Sequence, residues 1–266
     1  MSELALDHDG RTYSPRNAYW LGRAAALAYE DEDAIRSEVA NWGLSHCDVW
    51  SIEDTEAFLA ANESSIVLAF RGTEPTDVDD WASDLQIKLV RGPAGRVHEG
   101  FQLALGYVWP RVHAAILKQR ESGGRKNLWV TGHSLGAAIA TLAVAKLRLE
   151  QQHPVDGLYT YGHPRTGDPD FAQAFDSNMG NRTYRVVNNN DVVPRVPPRK
   201  MGYSHVGEVV YFDSDGIRRD DMSWWDKLMD RIEGRIDDLL KPGTDGMKDH
   251  SMSNYLACLK RDLPAA

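Results

Sequence analysis

Cysteine is almost absent: the 266-residue chain holds two, Cys47 and Cys258, too few and too far apart for a disulfide framework or a thiolate metal cluster. Long apolar runs are missing too, and no stretch is apolar enough to span a bilayer. The opening Met1-Ser2-Glu3-Leu4-Ala5-Leu6-Asp7-His8-Asp9 has neither the basic nor the apolar region of a secretory leader. These absences predict a soluble protein of the cytoplasm, or one exported by a route without an N-terminal signal. Positive charge is also in deficit. With 30 Lys and Arg against 39 Asp and Glu, the net charge of -9 disfavours nucleic acid and strongly anionic membranes as partners. No repeat, low-complexity tract or long linker interrupts the chain, so residues 1–266 are expected to form one domain with a full core.

What is present centres on Val130-Thr131-Gly132-His133-Ser134-Leu135-Gly136-Ala137-Ala138. A short apolar run, Asn127 to Val130, reads as a buried strand, and Ser134 to about Glu150 reads as a helix. The G-x-S-x-G pentapeptide therefore falls at a strand-to-helix turn, which lifts a serine hydroxyl clear of a sheet and makes Ser134 the candidate nucleophile. Gly132 and Gly136 allow the close backbone approach that such a turn needs, and Ala137 and Ala138 let the helix sit tightly on its neighbours.

Elsewhere Ala18, Leu21, Ala24, Ala25, Leu27 and Ala28 recur at helical spacing, and a charged helix is expected from Glu30 to Ala40. Strand-like runs at Cys47 to Ile52, Ala57 to Ala60 and Ser65 to Phe70 suggest an antiparallel meander. A long amphipathic pattern then follows Val97-His98-Glu99-Gly100-Phe101 as far as Arg120. Further strands are expected at Gly157 to Tyr161, Thr183 to Val187 and His205 to Phe212, with a short helix from Pro169 to Phe175. Strands alternating with helices imply an α/β sheet.

A serine needs a base, and the base needs an acid to fix its tautomer and to stabilise the imidazolium. On an elbow of this kind the expected chain order is Ser, acid, His. Asp191, in Asn188-Asn189-Asn190-Asp191-Val192-Val193-Pro194, follows an apolar strand and is the candidate acid, although Asn and Asp before proline also favour an ordinary Asx-turn. Two histidines lie downstream. His205 opens a strand and reads as structural, whereas His250 sits in a loop, where a side chain is free to reach a cleft, and is chosen as the base. His98, His133 and His163 read as hydrogen-bonded packing residues. The oxyanion donors are expected at Leu135, just after the nucleophile, and at Thr73, in the loop leaving Ser65 to Phe70.

Taken together, Phe70-Arg71-Gly72-Thr73, Val97-His98-Glu99-Gly100-Phe101, Gly132-His133-Ser134-Leu135-Gly136-Ala137, Tyr161-Gly162-His163-Pro164-Arg165, Asn190-Asp191 and Tyr203-Ser204-His205 resemble the class 3 lipase family, over roughly Trp20 to Leu256. The resemblance implies an α/β-hydrolase with a central, mostly parallel sheet, helices on both faces and a nucleophile elbow. It also implies Ser134, Asp191 and His250 as a triad, Thr73 and Leu135 as oxyanion donors, and acyl-ester hydrolysis without a cofactor or metal. The substrate expected is an acyl ester or lipid, met through transient contact with lipid surfaces. In secreted relatives the stretch after the oxyanion residue forms an apolar lid; here it carries Glu74, Asp77, Asp79, Asp80 and Asp84 beside Val78, Trp81 and Leu85.

Between Asp191 and His250, Trp225, Leu228, Ile232, Ile236 and Leu239 recur at helical steps within residues 222–240. This amphipathic segment packs on the body or on a second subunit, or else caps the site, with Trp224 and Trp225 joining Trp81 as substrate contacts. The sequence reading is a lipase-type carboxylester hydrolase. A phospholipase or lysophospholipase and a non-catalytic interaction domain on the same fold stand as alternatives.

Overall fold

Runs of alternating apolar residues make strands with two faces to cover, and in this protein helices cover both. The computed structural model describes residues 3–8, 11–72, 88–121, 124–219 and 248–264. The chain runs α1 (Pro15–Leu27), α2 (Glu32–Asn41), β1 (His46–Ile52), β2 (Thr55–Ala61), β3 (Ser65–Phe70), β4 (Leu89–Arg91), β5 (Arg96–His98), α3 (Glu99–Glu121), β6 (Asn127–His133), α4 (Leu135–Ala145), β7 (Gly157–Tyr161), α5 (Pro169–Met179), β8 (Thr183–Asn188), β9 (Glu208–Phe212), β10 (Arg218–Arg219) and α6 (Met252–Asp262).

One eight-stranded sheet, ordered β1-β2-β3-β6-β7-β8-β9-β10, carries the fold. β1, β2 and β3 form the expected antiparallel meander, and β3, β6, β7, β8 and β9 run parallel. Leu59, Leu68, Leu128, Val130 and Leu158 point to one face and pack with α3, α4 and α5. Phe58, Val67, Trp129, Tyr159, Tyr161 and Tyr184 point to the other and pack with α1, α2 and α6. This period-two division is what a sheet covered on both sides requires. The molecule is thus an α/β-hydrolase with a central, mostly parallel sheet.

Local chemistry sets the helix ends. The side chain of Ser14 accepts from Asn17 N ahead of Pro15, and that of Asp31 accepts from Ala34 N, so the second helix starts after Glu30. The helix after Ser134 is α-helical only to Ala145 and ends in a wider π turn over Lys146–Glu150. β6 runs on to His133, past the apolar stretch, because Thr131 and His133 are buried polar residues that still belong to the ladder. His205 does not open a strand: β9 begins at Glu208, and the His205 ring Nε2 donates to the Pro194 carbonyl at 2.7 Å. The β4–β5 hairpin is an element the apolar pattern does not announce. Thr73, Trp81, Trp224, Trp225 and the amphipathic segment 222–240 lie outside the described residues.

Candidate active site

In a parallel sheet the carboxyl ends of neighbouring strands share one edge, and the ends of β3, β6, β7 and β8 meet here at Phe70, His133, Tyr161 and Asn188. The candidate residues gather along that edge.

Ser134 links β6 to α4 with φ 56° and ψ -128°, a backbone conformation rare for a residue with a side chain and costing about 1–3 kcal/mol. Its amide donates to Tyr161 O at 3.0 Å and its carbonyl accepts from Ala137 N at 3.0 Å, which fixes the turn. The turn also demands a residue without a side chain at 136, because a Cβ on Gly136 would strike the carbonyl of Phe70 and the backbone of Arg71. The loop after β3 therefore lies directly on the elbow. At Gly72, the last described residue before Thr73, a Cβ would come within 3.1 Å of Ser134 Cβ.

Asp191 sits past the end of β8 and uses both carboxylate oxygens. Oδ1 accepts from Val193 N at 2.9 Å, so the Asx-turn reading holds, and it lies 3.0 Å from His250 Nδ1. Oδ2 lies 2.9 Å from the same nitrogen and accepts from the Tyr255 hydroxyl at 2.5 Å. Asp191 and His250 are both buried. The loop that carries the acid is tied to the segment that carries the base. Asn188 Nδ2 donates to Asp249 O, Asn189 Nδ2 to Asp249 Oδ2 and Asn190 N to the same oxygen, at 2.9, 2.9 and 3.2 Å.

With Nδ1 directed at a carboxylate, His250 has one ring nitrogen left for chemistry. His250 Nε2 and Ser134 Oγ are both buried, and neither has a hydrogen-bond partner among the described residues. His205, the competing histidine, is engaged with Pro194 O and approaches neither Asp191 nor Ser134 through any hydrogen bond.

Three more residues complete the site without an obvious mark in the sequence. Tyr255, on the buried face of α6, holds Asp191; burial and then the nearby carboxylate push its phenol well above the usual range, so it stays a donor. Gly162 has φ 55°, and a Cβ there would stand 2.5 Å from His250 Cε1 and 2.9 Å from Asp191 Oδ2. Tyr29 bonds His133 Nδ1 at 2.7 Å, while His133 Nε2 meets the backbone carbonyl of His250 at 2.7 Å. A carbonyl only accepts, so Nε2 carries the proton of His133 and Nδ1 accepts from the Tyr29 hydroxyl. Burial first, and His250 second, hold His133 well below the ordinary histidine range, so this ring stays neutral. His133 is a packing residue as expected, and it packs on the base.

Leu135 N is the first amide of α4 and has no acceptor within the helix by its position, at the positive end of the helix dipole. Among the described residues no group of three or more His, Cys, Asp or Glu is placed to hold a metal ion.

Several known proteins are similar to this chain in sequence and in fold. It is 36% identical to a lipase of Rhizomucor miehei over 188 residues, covering 64% of this chain and 51% of that protein. It is 35% identical to secreted mono- and diacylglycerol lipase 1 of Fusarium solani over 171 residues, covering 62% of this chain and 49% of that protein. The solved structure of the Rhizomucor miehei triacylglyceride lipase superposes with a TM-score of 0.66 at 30% identity, covering 76% of this chain and 81% of that one. The chain spans about half the length of the curated relatives it matches. A relative described as secreted overturns the expectation of a cytoplasmic protein. That expectation rested on the lack of a leader-like opening and on the scarcity of cysteine as a mark of compartment, but a sheet covered on both faces needs no disulfide staples in any compartment. The family model for lipase (class 3) matches residues 67–201, half of the chain and the part that holds the elbow and Asp191, and the protein belongs to the class 3 lipase family.

Proposed function

We propose that this chain is a carboxylester hydrolase of the lipase type, cleaving acylglycerols or similar esters through Ser134, His250 and Asp191 by way of an acyl-enzyme. One observation carries the reading. Among the side-chain polar atoms of these three residues, Ser134 Oγ and His250 Nε2 are the two without a partner among the described residues, and they are the two atoms between which the first proton must pass. Leaving a buried polar atom unpaired costs about 1–3 kcal/mol, so two at one sheet edge ask for a reason.

His250 Nε2 takes the hydroxyl proton as Ser134 Oγ attacks the ester carbonyl carbon. The Asp191 carboxylate stabilises the imidazolium that forms. Negative charge gathers on the carbonyl oxygen and is met by Leu135 N–H, with Thr73 proposed as the second donor. The tetrahedral species collapses, the alcohol leaves with the proton from Nε2, and the acyl group stays on Ser134. Water then attacks with His250 again as base, releasing the carboxylic acid and restoring the serine.

The names of the relatives, which specify mono-, di- and triacylglycerol lipases, support a neutral acylglycerol as substrate. Trp81, Trp224 and Trp225 are proposed as contacts of the acyl chain, with residues 222–240 as a cap. The test is fatty-acid release from tributyrin and from phosphatidylcholine vesicles, by the wild-type protein and by Ser134→Ala. Release from tributyrin that Ser134→Ala abolishes is the expected result. Folded wild-type protein that releases nothing from either lipid, or a Ser134→Ala variant as active as wild type, would overturn the reading. Preference for the phospholipid would replace the acylglycerol assignment.

A further inference from the structure

A cavity lies away from the triad. It has a volume of about 580 Å³ and opens between the β4–β5 turn, one face of α3 and the far end of α4, and Arg91, Leu103, Gly106, Tyr107, Trp109 and Leu142 are among the residues that line it. That volume is within the range of small-molecule sites, roughly 300–1,000 Å³. Leu142 stands eight residues along the chain from Ser134, about 12 Å at the rise of an α-helix, and none of Ser134, Asp191 and His250 lines the cavity.

Three features of this wall call for a ligand. The first is exposed apolar surface: Leu103 and Tyr107, one helical turn apart on α3, are 56% and 47% exposed, among the four large apolar residues most open to solvent within the described residues. The second is charge. In a chain of net charge -9, the charged groups on this wall are Arg91, Lys146 and Glu150; Lys146 pairs with Glu150 at 2.9 Å, and the Arg91 guanidinium has no ion pair or side-chain hydrogen bond among the described residues. The third is Gly106, a glycine in the middle of a helix. No neighbour requires it, since a Cβ built there meets nothing within 4 Å. Glycine weakens a helix interior, and here its effect is to leave the cavity wall open.

We propose that this groove binds one molecule of a fatty acid, with its carboxylate on Arg91 and its alkyl chain along Leu103, Tyr107, Trp109 and Leu142. A linear carboxylate matches what the wall offers: one cation, Arg91, without a partner among the described residues, beside a lining that is mostly apolar apart from Gln102 and the Lys146–Glu150 pair. The site would hold the class of product that the proposed reaction releases, but its occupancy does not depend on hydrolysis, and the test separates the two.

Sodium dodecanoate and dodecanol, each below its aggregation concentration, are titrated calorimetrically into the full chain carrying Ser134→Ala. Arg91→Gln and Gly106→Trp are added on that background. Arg91→Gln should weaken dodecanoate roughly tenfold, the size expected for a lost charge-assisted carboxylate contact, and leave dodecanol unchanged. Gly106→Trp fills open space and replaces a helix-interior glycine, so it should keep the melting temperature at or above the parent value while removing binding of both probes. In the Ser134-intact protein neither change should alter turnover of a soluble short-chain ester. Dodecanoate binding that survives both variants, or no binding to the parent, overturns the proposal. A protein that binds dodecanoate as described yet hydrolyses no ester would remove the enzymatic reading and leave this one standing.

Discussion

The ring of His133 lies against the ring of His250, centroids 4.4 Å apart and tilted by 32°, and its Nε2–H is bonded to the His250 backbone carbonyl. The residue before the nucleophile thus holds the base from behind. His133→Ala should cost about 2–4 kcal/mol by removing two buried hydrogen bonds, and should lower kcat more than it raises KM. Urea unfolding and steady-state kinetics on one preparation check this. Unchanged stability together with unchanged kcat would show that the contact does nothing.

Tyr255→Phe removes one hydroxyl from a packed ring and leaves Asp191 Oδ2 with His250 alone. A hydrogen bond to a charged group contributes about 1.5–3 kcal/mol, so kcat should fall roughly tenfold while the melting temperature changes by a few degrees. An active-site titration alongside the rate assay checks that the lost activity is a slower site and not fewer folded molecules.

Gly162→Ala is the sharpest steric test. The new methyl would meet the imidazole of His250 at about van der Waals-forbidden range, 2.5–2.6 Å, on a backbone with φ 55°. The ring must move, and a displacement approaching 1 Å is enough to cost roughly a hundredfold in kcat. Substitution of Gly106, where a Cβ meets nothing, should leave kcat unchanged and serves as the control.

His133 should contribute nothing to the pH profile of the rate, because burial keeps its ring neutral; His133→Phe should lower the rate without changing the shape of that profile. Stability should follow a separate course. Burial pushes His98 down to about 4, while the unfolded chain takes up that proton near pH 6.5. The unfolded state therefore binds more protons between these values, and stability is lost as pH falls from about 6.5 towards 4. Melting temperature measured across that window should fall on acidification, and less steeply in His98→Phe. A melting temperature flat from pH 7 to 4 would contradict the assignment.

The parts of this site that sequence makes legible are those marked by local chemistry. Ser134 stands out because a tight strand-to-helix turn needs small residues at fixed offsets, and Asp191 because it follows an apolar run at a proline-flanked turn. His250 is preferred to His205 on the expectation that His205 opens a strand, but β9 begins at Glu208 and both histidines lie outside strands; what separates them is that His205 is bonded to Pro194 O while His250, buried at 1% exposure, faces Asp191. Tyr29, Gly162 and Tyr255 carry no such mark, since their roles depend on partners 104, 88 and 64 residues away along the chain. The β4–β5 hairpin escaped for a different reason: strands of three residues are too short to show a period of two. β6 outran its expected end because Thr131 and His133 are polar residues buried by hydrogen bonds to Leu21 O, Tyr29 and His250 O.

In the proposed mechanism the buried hydroxyl of Ser134, without a partner among the described residues, is a nucleophile made reactive by His250. Incubation of the folded protein with a fluorophosphonate, followed by digestion and mass mapping, tests it most directly. One label per chain on the peptide containing Ser134 is predicted, with no label in Ser134→Ala and labelling slowed by several orders of magnitude in His250→Ala. A folded wild-type protein that takes no label, or one labelled as fast in His250→Ala as in wild type, would contradict it.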